Sequence, residues 1–328
     1  MKWALRLVLV LVVVLGGLFL AFRTPDTDPA EMRAKYGAPP SQFVEIASGV
    51  TVHLRDEGPR GDGAAALPIV LLHGSNSDLH TWDEWAERLS QTHRVIRFDQ
   101  VGHGLTGPDP EEDYSRANYA QDIGEVADAL GLERFILGGN SMGGKHALAF
   151  AAAYPERVAG LILVDASGGP ELALETDAQA EAEEDSGNIG FAIAQMPGIN
   201  RLAEQITPRS LIEQSLVETV ADRALVDGAI VDRYWELLRY PGNRRATLLR
   251  FSAAYDPLTE AEIASITAPA LIQWGEEDRL IPVAAGRWLK QTLPNSELVV
   301  YPEIGHLPHK EAPEASLASV QEWLLNLE

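Results

Sequence analysis

The chain has 328 residues, 46% of them hydrophobic, with 48 acidic against 26 basic residues and a formal net charge of −22. That length can bury a sizeable core in one large domain or two small ones. The acidity excludes a general basic footprint for nucleic acid and any electrostatic attraction to anionic lipid. The absence of cysteine excludes disulfides, thiolate chemistry and cysteine-held metals.

The chain opens on "MKWALRLVLVLVVVLGGLFLAFRTPD", with Lys2 and Arg6 ahead of an apolar run from Leu7 to Phe22. With Trp3 to Leu5 included, a helix of about 20 residues would be roughly 30 Å long, the thickness of a bilayer core. Cleavage after Ala21 would put Phe19, which is not small, at the third position before the cut. Residues 1–23 are therefore expected as an uncleaved transmembrane anchor and not as a removed signal. A short basic tail before a first apolar helix stays in the cytoplasm as a rule, which would place the rest of the chain in the periplasm or outside the cell. Residues 24–41, "TPDTDPAEMRAKYGAPPS", read as a linker.

Residues 42–328 alternate between strand and helix patterns. "QFVEIASG" and "VTVHLRDEG" are short β-type runs. "LPIVLLHG", "RVIRFDQVGHG", "RFILGGN", "VAGLILVDAS", "APALIQWGEED" and "SELVVYPEIGH" are apolar strands of the kind buried on both faces. Helical patterns such as "LHTWDEWAERLSQ", "YAQDIGEVADALG", "AAGRWLKQTLP" and "APEASLASVQEWLLNL" fall between and after them. This order predicts an α/β fold, a mostly parallel sheet flanked by helices. From about 170 to 255 no convincing strand occurs; the stretch reads as short helices and is expected to form a helical cap over the strand ends. Its first part, Glu171 to Asp185, carries seven acidic and no basic residues, and would disfavour anionic substrates if it faced the entrance.

Gly139-Asn140-Ser141-Met142-Gly143 fits G-x-S-x-G at a strand-to-helix junction. The glycines let helix and strand approach while a strained turn lifts the serine hydroxyl to the top of the sheet. The Met142 N–H then points into the same space at the start of a helix, where the dipole favours negative charge.

Together with "LLHGSNSDLHTW", "FDQVGHG", "WGEEDRLIP" and "EIGHLPHKEAP", in that order along the chain, this motif resembles the α/β-hydrolases over nearly everything from residue 42 onward. The "GNSMGG" form is similar to that of some bacterial lipases and esterases, and to that of hydrolases that cleave carbon–carbon bonds in ring-fission products. The resemblance implies a triad in the order nucleophile, acid, histidine. Ser141 is the expected nucleophile. Asp278 in "WGEEDRLIP" matches the usual acid, while Asp165 in "ILVDAS" resembles a placement seen in some relatives. His306 in "EIGHLP" is the expected base, with His309 its rival. Ser75 would supply the second oxyanion-hole N–H beside Met142, with Asn76 the fallback. His73, His103 and His146 are expected to be structural, and Asp99, Gly102 and Gly104 to shape a turn. No phosphate loop, dinucleotide fingerprint or metal-ligand spacing is present, so neither cofactor nor metal is expected.

A serine at the elbow excludes relatives that carry aspartate there. The first expectation is a serine hydrolase of the carboxylesterase or lipase kind, cleaving short- to medium-chain or lipid-like esters through an acyl-enzyme; a small hydrophobic ester would suit a membrane-held site. The alternative is a carbon–carbon bond hydrolase of ring-fission products, which Asn140 resembles. That group usually has tryptophan after the histidine, where Leu307 stands here. A non-catalytic binding protein on a hydrolase fold is the third reading, opposed by the complete set of triad candidates.

Overall fold

A computed structural model of the chain describes residues 23–60, 67–169, 204–253 and 256–327, with scattered positions before residue 23. Eight strands form one sheet in the order β1-β2-β4-β3-β5-β6-β7-β8. They are β1 (Gln42–Glu45), β2 (Thr51–Glu57), β3 (Ile69–Leu72), β4 (Val95–Phe98), β5 (Phe135–Asn140), β6 (Val158–Val164), β7 (Ala270–Gly275) and β8 (Ser296–Tyr301). β1 and β2 pair antiparallel, as do β2 and β4, and every other neighbouring pair is parallel. The α/β fold expected from the alternating pattern is the one observed.

β3 to β7 are buried along their whole length because helices cover both faces, whereas β8, expected to be buried in the same way, is the edge of the sheet, with Glu297 exposed and Leu298, Val299 and Val300 half-buried. Along β3 the side chains alternate. Val70 and Leu72 join a core with Ile123 and Val126 of α3 (Arg116–Ala129) and Leu148 and Phe150 of α4 (Met142–Ala153). Ile69 and Leu71 face the other core, with Trp85 of α2 (Asp83–Leu89) and Val320 and Trp323 of α11 (Pro313–Leu327). Each such buried side chain contributes about 1.5–3 kcal/mol, and a two-residue period on a doubly covered strand requires both faces to be apolar.

The chain runs from β3 outward to β4 and then returns to β5 on the other side of β3. The carboxyl ends of β3 and β5 therefore flank a topological switch point, where open α/β sheets form a crevice. Between β6 and β7 lie α5 (Arg209–Thr219), α6 (Gly228–Leu238), α7 (Asn243–Ser252) and α8 (Glu260–Ala264), the first three of them within the stretch expected as a cap. The acidic run 171–185 lies outside the described residues. α9 (Val283–Thr292) and α10 (Pro308–Glu311) complete the set.

The segment expected as a linker is folded against this layer. α1 (Pro29–Tyr36) begins with proline, and the Asp28 side chain accepts from the Ala30 and Glu31 N–H groups. Arg244 of α7 donates to the Thr24 carbonyl at 2.8 Å and to Asp26 at 2.6 Å. The expected membrane anchor is corrected: among the described residues no helix is long and apolar enough to cross a membrane. Most of residues 1–23 lie outside the described set, and the expected periplasmic or extracellular placement falls with the anchor.

One core position opposes the fold at neutral pH. Asp122 on α3 is buried, and its Oδ2 has no hydrogen-bond partner among the described residues. Burial, followed by the charges of Asp109, Glu125 and Asp113, pushes its pKa up to about 7. The native state thus keeps a proton that the unfolded chain releases near pH 4, so stability falls as pH rises from about 4 to 7. Asp122→Asn is expected to stabilise the protein by about 1–4 kcal/mol at pH 8. The gain should fade towards pH 4, as read by urea unfolding at the two pH values.

Candidate active site

Ser141 stands between β5 and α4 with φ 52° and ψ −118°, a conformation a non-glycine residue adopts only where its surroundings enforce it. Three glycines make the enforcement possible. A Cβ on Gly139 would lie 2.3 Å from the Gly143 backbone, one on Gly143 2.3 Å from the Leu72 carbonyl oxygen, and one on Gly144 2.4 Å from the Ala166 Cβ. The Ser141 N–H donates to the Val164 carbonyl at 3.0 Å, and the Ser141 carbonyl accepts from the Ser167 N–H at 3.0 Å. The turn is thereby clamped to β6.

Asp278 follows β7 and His306 follows β8. The His306 Nδ1 lies 2.7 Å from Asp278 Oδ2. Asp278 Oδ1 accepts from the N–H groups of Leu280 and Ile281 at 2.8 and 3.0 Å, which fixes the carboxylate. With Nδ1 donating to that carboxylate, Nε2 is left as an acceptor, the state a general base needs. Asn140 ties the His306 loop to the end of β6: its Nδ2 donates to the Val164 carbonyl at 3.1 Å and to the His306 carbonyl at 3.2 Å. No hydrogen bond joins the Ser141 hydroxyl to the His306 ring; catalytic contacts of this kind are often long without substrate.

The Met142 N–H opens α4 and the Ser75 N–H follows β3 at the switch point. Neither has a backbone acceptor among the described residues, so both are free to meet an oxyanion. The Ser75 Oγ is buried without a partner as well. Asn76, the fallback, has φ 56°, and its side-chain oxygen accepts from Thr247 at 3.0 Å.

The other histidines are committed elsewhere. His309 bonds Thr81 at 2.9 Å and packs its ring on Trp82. His73 Nδ1 donates to the Gly74 carbonyl at 2.8 Å while its Nε2 accepts from the Gln100 N–H at 3.0 Å. His146 bonds Gln100 and stacks on Tyr119. Burial holds His73, His103, His146 and His309 below the ordinary histidine range, so all four are neutral. Asp99 accepts from His53 and from the N–H groups of Leu79 and Leu105, the role of a turn-former.

Two features lie outside the expected set. Arg250, on α7, has no motif to announce it. Its guanidinium reaches Thr247 at 2.9 Å, contacts His103 and lies 4.0 Å from the Met142 sulfur. Its Nε is buried without a partner, and among the described residues no carboxylate pairs with it. The second is Asp165, weighed above as a substitute acid. Its carboxylate joins Asp278 and His306 in a group whose ligand atoms all lie within 4.8 Å of one another. This is the one arrangement among the described residues close enough to share a cation. Asp278 and His306 already satisfy each other by the hydrogen bond described.

The α/β hydrolase fold family model matches residues 68–313. The chain belongs to the α/β-hydrolase fold family. Among its curated relatives is the 2-hydroxymuconate semialdehyde hydrolase of Pseudomonas putida, 29% identical over 87% of this chain and 96% of that protein. Another is the 2-hydroxy-6-oxo-6-phenylhexa-2,4-dienoate hydrolase of Burkholderia cepacia, 28% identical over 87% and 96%. Among solved structures, a meta-cleavage product hydrolase from Pseudomonas fluorescens superposes with a TM-score of 0.71 at 23% identity, over 88% of this chain and 98% of that one. This α/β-hydrolase is a hydrolytic enzyme. The relatives' names overturn the expectation of ester hydrolysis as its first reading and back carbon–carbon bond hydrolysis of ring-fission products, the alternative drawn from Asn140.

Proposed function

We propose that this α/β-hydrolase cleaves a carbon–carbon bond in a 2-hydroxy-6-oxohexa-2,4-dienoate, with Ser141, His306 and Asp278 as its triad. The N–H groups of Met142 and Ser75 serve as its oxyanion hole, and α5, α6 and α7 as its cap. Such a substrate first moves a proton to C5, giving a C6 ketone and a C2 ketone conjugated with C3=C4. His306 takes the Ser141 proton as the oxygen adds to C6, and the two N–H donors meet the charge on that oxygen. The C5–C6 bond then breaks with its electron pair passing through C3=C4 to the C2 oxygen. The C2 oxygen takes the proton that His306 holds and a hydroxypentadienoate leaves; His306 then takes a proton from the water that attacks the acyl group and returns it to the Ser141 oxygen as the C6 carboxylic acid is released.

The observation that carries this reading is Arg250. The carbon–carbon substrate holds a carboxylate at C1 and develops a second negative charge at the C2 oxygen. A simple ester has neither. A guanidinium beside Met142 with no carboxylate partner among the described residues suits the first chemistry. Leu307 in the place of the usual tryptophan is buried and bears on packing rather than on the charge of the substrate.

The test compares the phenyl dienoate with its C1 methyl ester, which lacks the carboxylate. Arg250→Gln is expected to lower kcat/KM for the acid by about 10- to 100-fold, the size of a charge-assisted hydrogen bond. The methyl ester, which keeps only the charge developing at the C2 oxygen, should lose less, about threefold. Equal losses on both compounds would remove Arg250 from recognition of the C1 carboxylate.

A further inference from the structure

We infer that Asp165 holds a proton and donates it in a hydrogen bond to the Asp278 carboxylate, so that it is a positioning residue for the triad acid. The inference rests on the proposed triad.

Asp165 follows β6 with φ 44°. Its N–H donates to the Gln273 carbonyl at 3.0 Å, and its Oδ1 accepts from the Gly275 N–H at 3.0 Å. Its Oδ2 is buried and meets no N–H or hydroxyl donor among the described residues. The nearest chemistry is another carboxylate: Asp165, Asp278 and the His306 ring place atoms within 4.8 Å of one another, and all three residues are buried. Two carboxylates at that separation, away from water, do not both ionise.

The donors decide which one keeps the proton. Asp278 is met by three: the Leu280 and Ile281 N–H groups and the His306 Nδ1. Asp165 is met by one, from Gly275. The better-solvated oxygen pair is that of Asp278, so Asp278 is the anion and Asp165 the neutral acid. Burial, then the Asp278 charge, holds the Asp165 carboxyl well above the usual carboxylate range, and Glu311 adds to the same effect. The titratable groups facing Asp165 are Asp278, His306, Glu311 and Tyr301. Glu311 is itself occupied by the N–H groups of Ala221 and Leu307, which leaves Asp278 as the acceptor for an Asp165 hydroxyl. A fourth hydrogen bond on Asp278 fixes its rotamer and moderates the negative charge it presents to His306.

Two variants separate this role from simple packing. Asp165→Asn keeps the acceptor for Gly275, tolerates a positive φ and offers an NH₂ donor in place of the hydroxyl. Asp165→Gly tolerates the same φ but deletes the donor. The Asn variant is expected to stay within about threefold of wild-type kcat/KM with an unmoved pH profile. The Gly variant is expected to lose about 10-fold, with the acid limb of its pH profile moved to higher pH. A folded but inactive Asn variant, or a Gly variant with an unmoved profile, would overturn the inference.

A direct reading comes from infrared difference spectra of folded wild type against Asp165→Asn at about pH 9, where Asp122 is ionised. A carbonyl stretch of a neutral carboxylic acid, present in wild type and absent in the variant, is expected. Its absence from wild type also overturns the inference. The spectrum does not depend on turnover, so it stands or falls apart from the substrate assigned above.

Discussion

Ser141→Ala is expected to lower kcat by about 10³- to 10⁶-fold with KM nearly unchanged. The change removes one oxygen from a turn whose geometry is set by others. Gly139, Gly143 and Gly144 allow the close approach of β5, β3 and Ala166, and the backbone of residue 141 bonds Val164 and Ser167. None of these contacts involves the hydroxyl, so the variant should fold and bind substrate. What it loses is the atom that, on the proposed mechanism, adds to the C6 carbonyl. Residual turnover would come from the free N–H groups of Ser75 and Met142 acting on a water. Single-turnover measurements on purified variant and wild type check this, and a loss below about tenfold would take Ser141 out of the chemistry.

Asp278→Asn is expected to cost about 10⁴-fold in kcat for a reason visible in the hydrogen bonds. The side-chain oxygen of the introduced amide must accept from the Leu280 and Ile281 N–H groups, as Oδ1 of Asp278 now does. Its NH₂ is then forced toward His306 Nδ1, which at present donates across 2.7 Å. To meet a donor, Nδ1 must become the acceptor, and the ring proton moves to Nε2. A protonated Nε2 cannot take the Ser141 proton. The variant should therefore keep the thermal stability of a folded enzyme while losing its rate. An active variant would mean that another group, with Asp165 the nearest carboxyl, orients the base.

The sheet is legible because its strands carry their own signal. Runs such as "IVLL" and "VAGLILV" are too apolar to sit on a half-exposed sheet, so parallel burial follows from composition alone. The elbow is legible because a sharp turn needs small residues at fixed offsets from the serine, and the histidine because Gly305 precedes it after the last strand. Arg250 is not legible. It sits in an ordinary helical stretch, "NRRATLLRFS", and its place beside Met142 is created by α7 folding back over the switch point. Asp165 reads as a rival to Asp278 because a sequence presents acids one strand at a time. β6 and β7 are neighbours in the sheet, so their terminal loops bring both carboxyls to one spot. The segment 24–41 reads by composition as a linker, whereas partners far along the chain, Arg244 among them, hold it. The elbow form is shared by esterases and carbon–carbon bond hydrolases, so it does not choose between them; on the proposed reading the choice falls to Arg250, a residue outside every motif.

The most direct test of the proposed reaction is product analysis. The protein would be incubated with 2-hydroxy-6-oxo-6-phenylhexa-2,4-dienoate beside a Ser141→Ala control, with simple phenyl and alkyl esters run in parallel. Wild type is expected to form benzoate and a hydroxypentadienoate in equal amounts, and the variant neither. Rapid turnover of the esters with the dienoate left intact would contradict carbon–carbon bond cleavage.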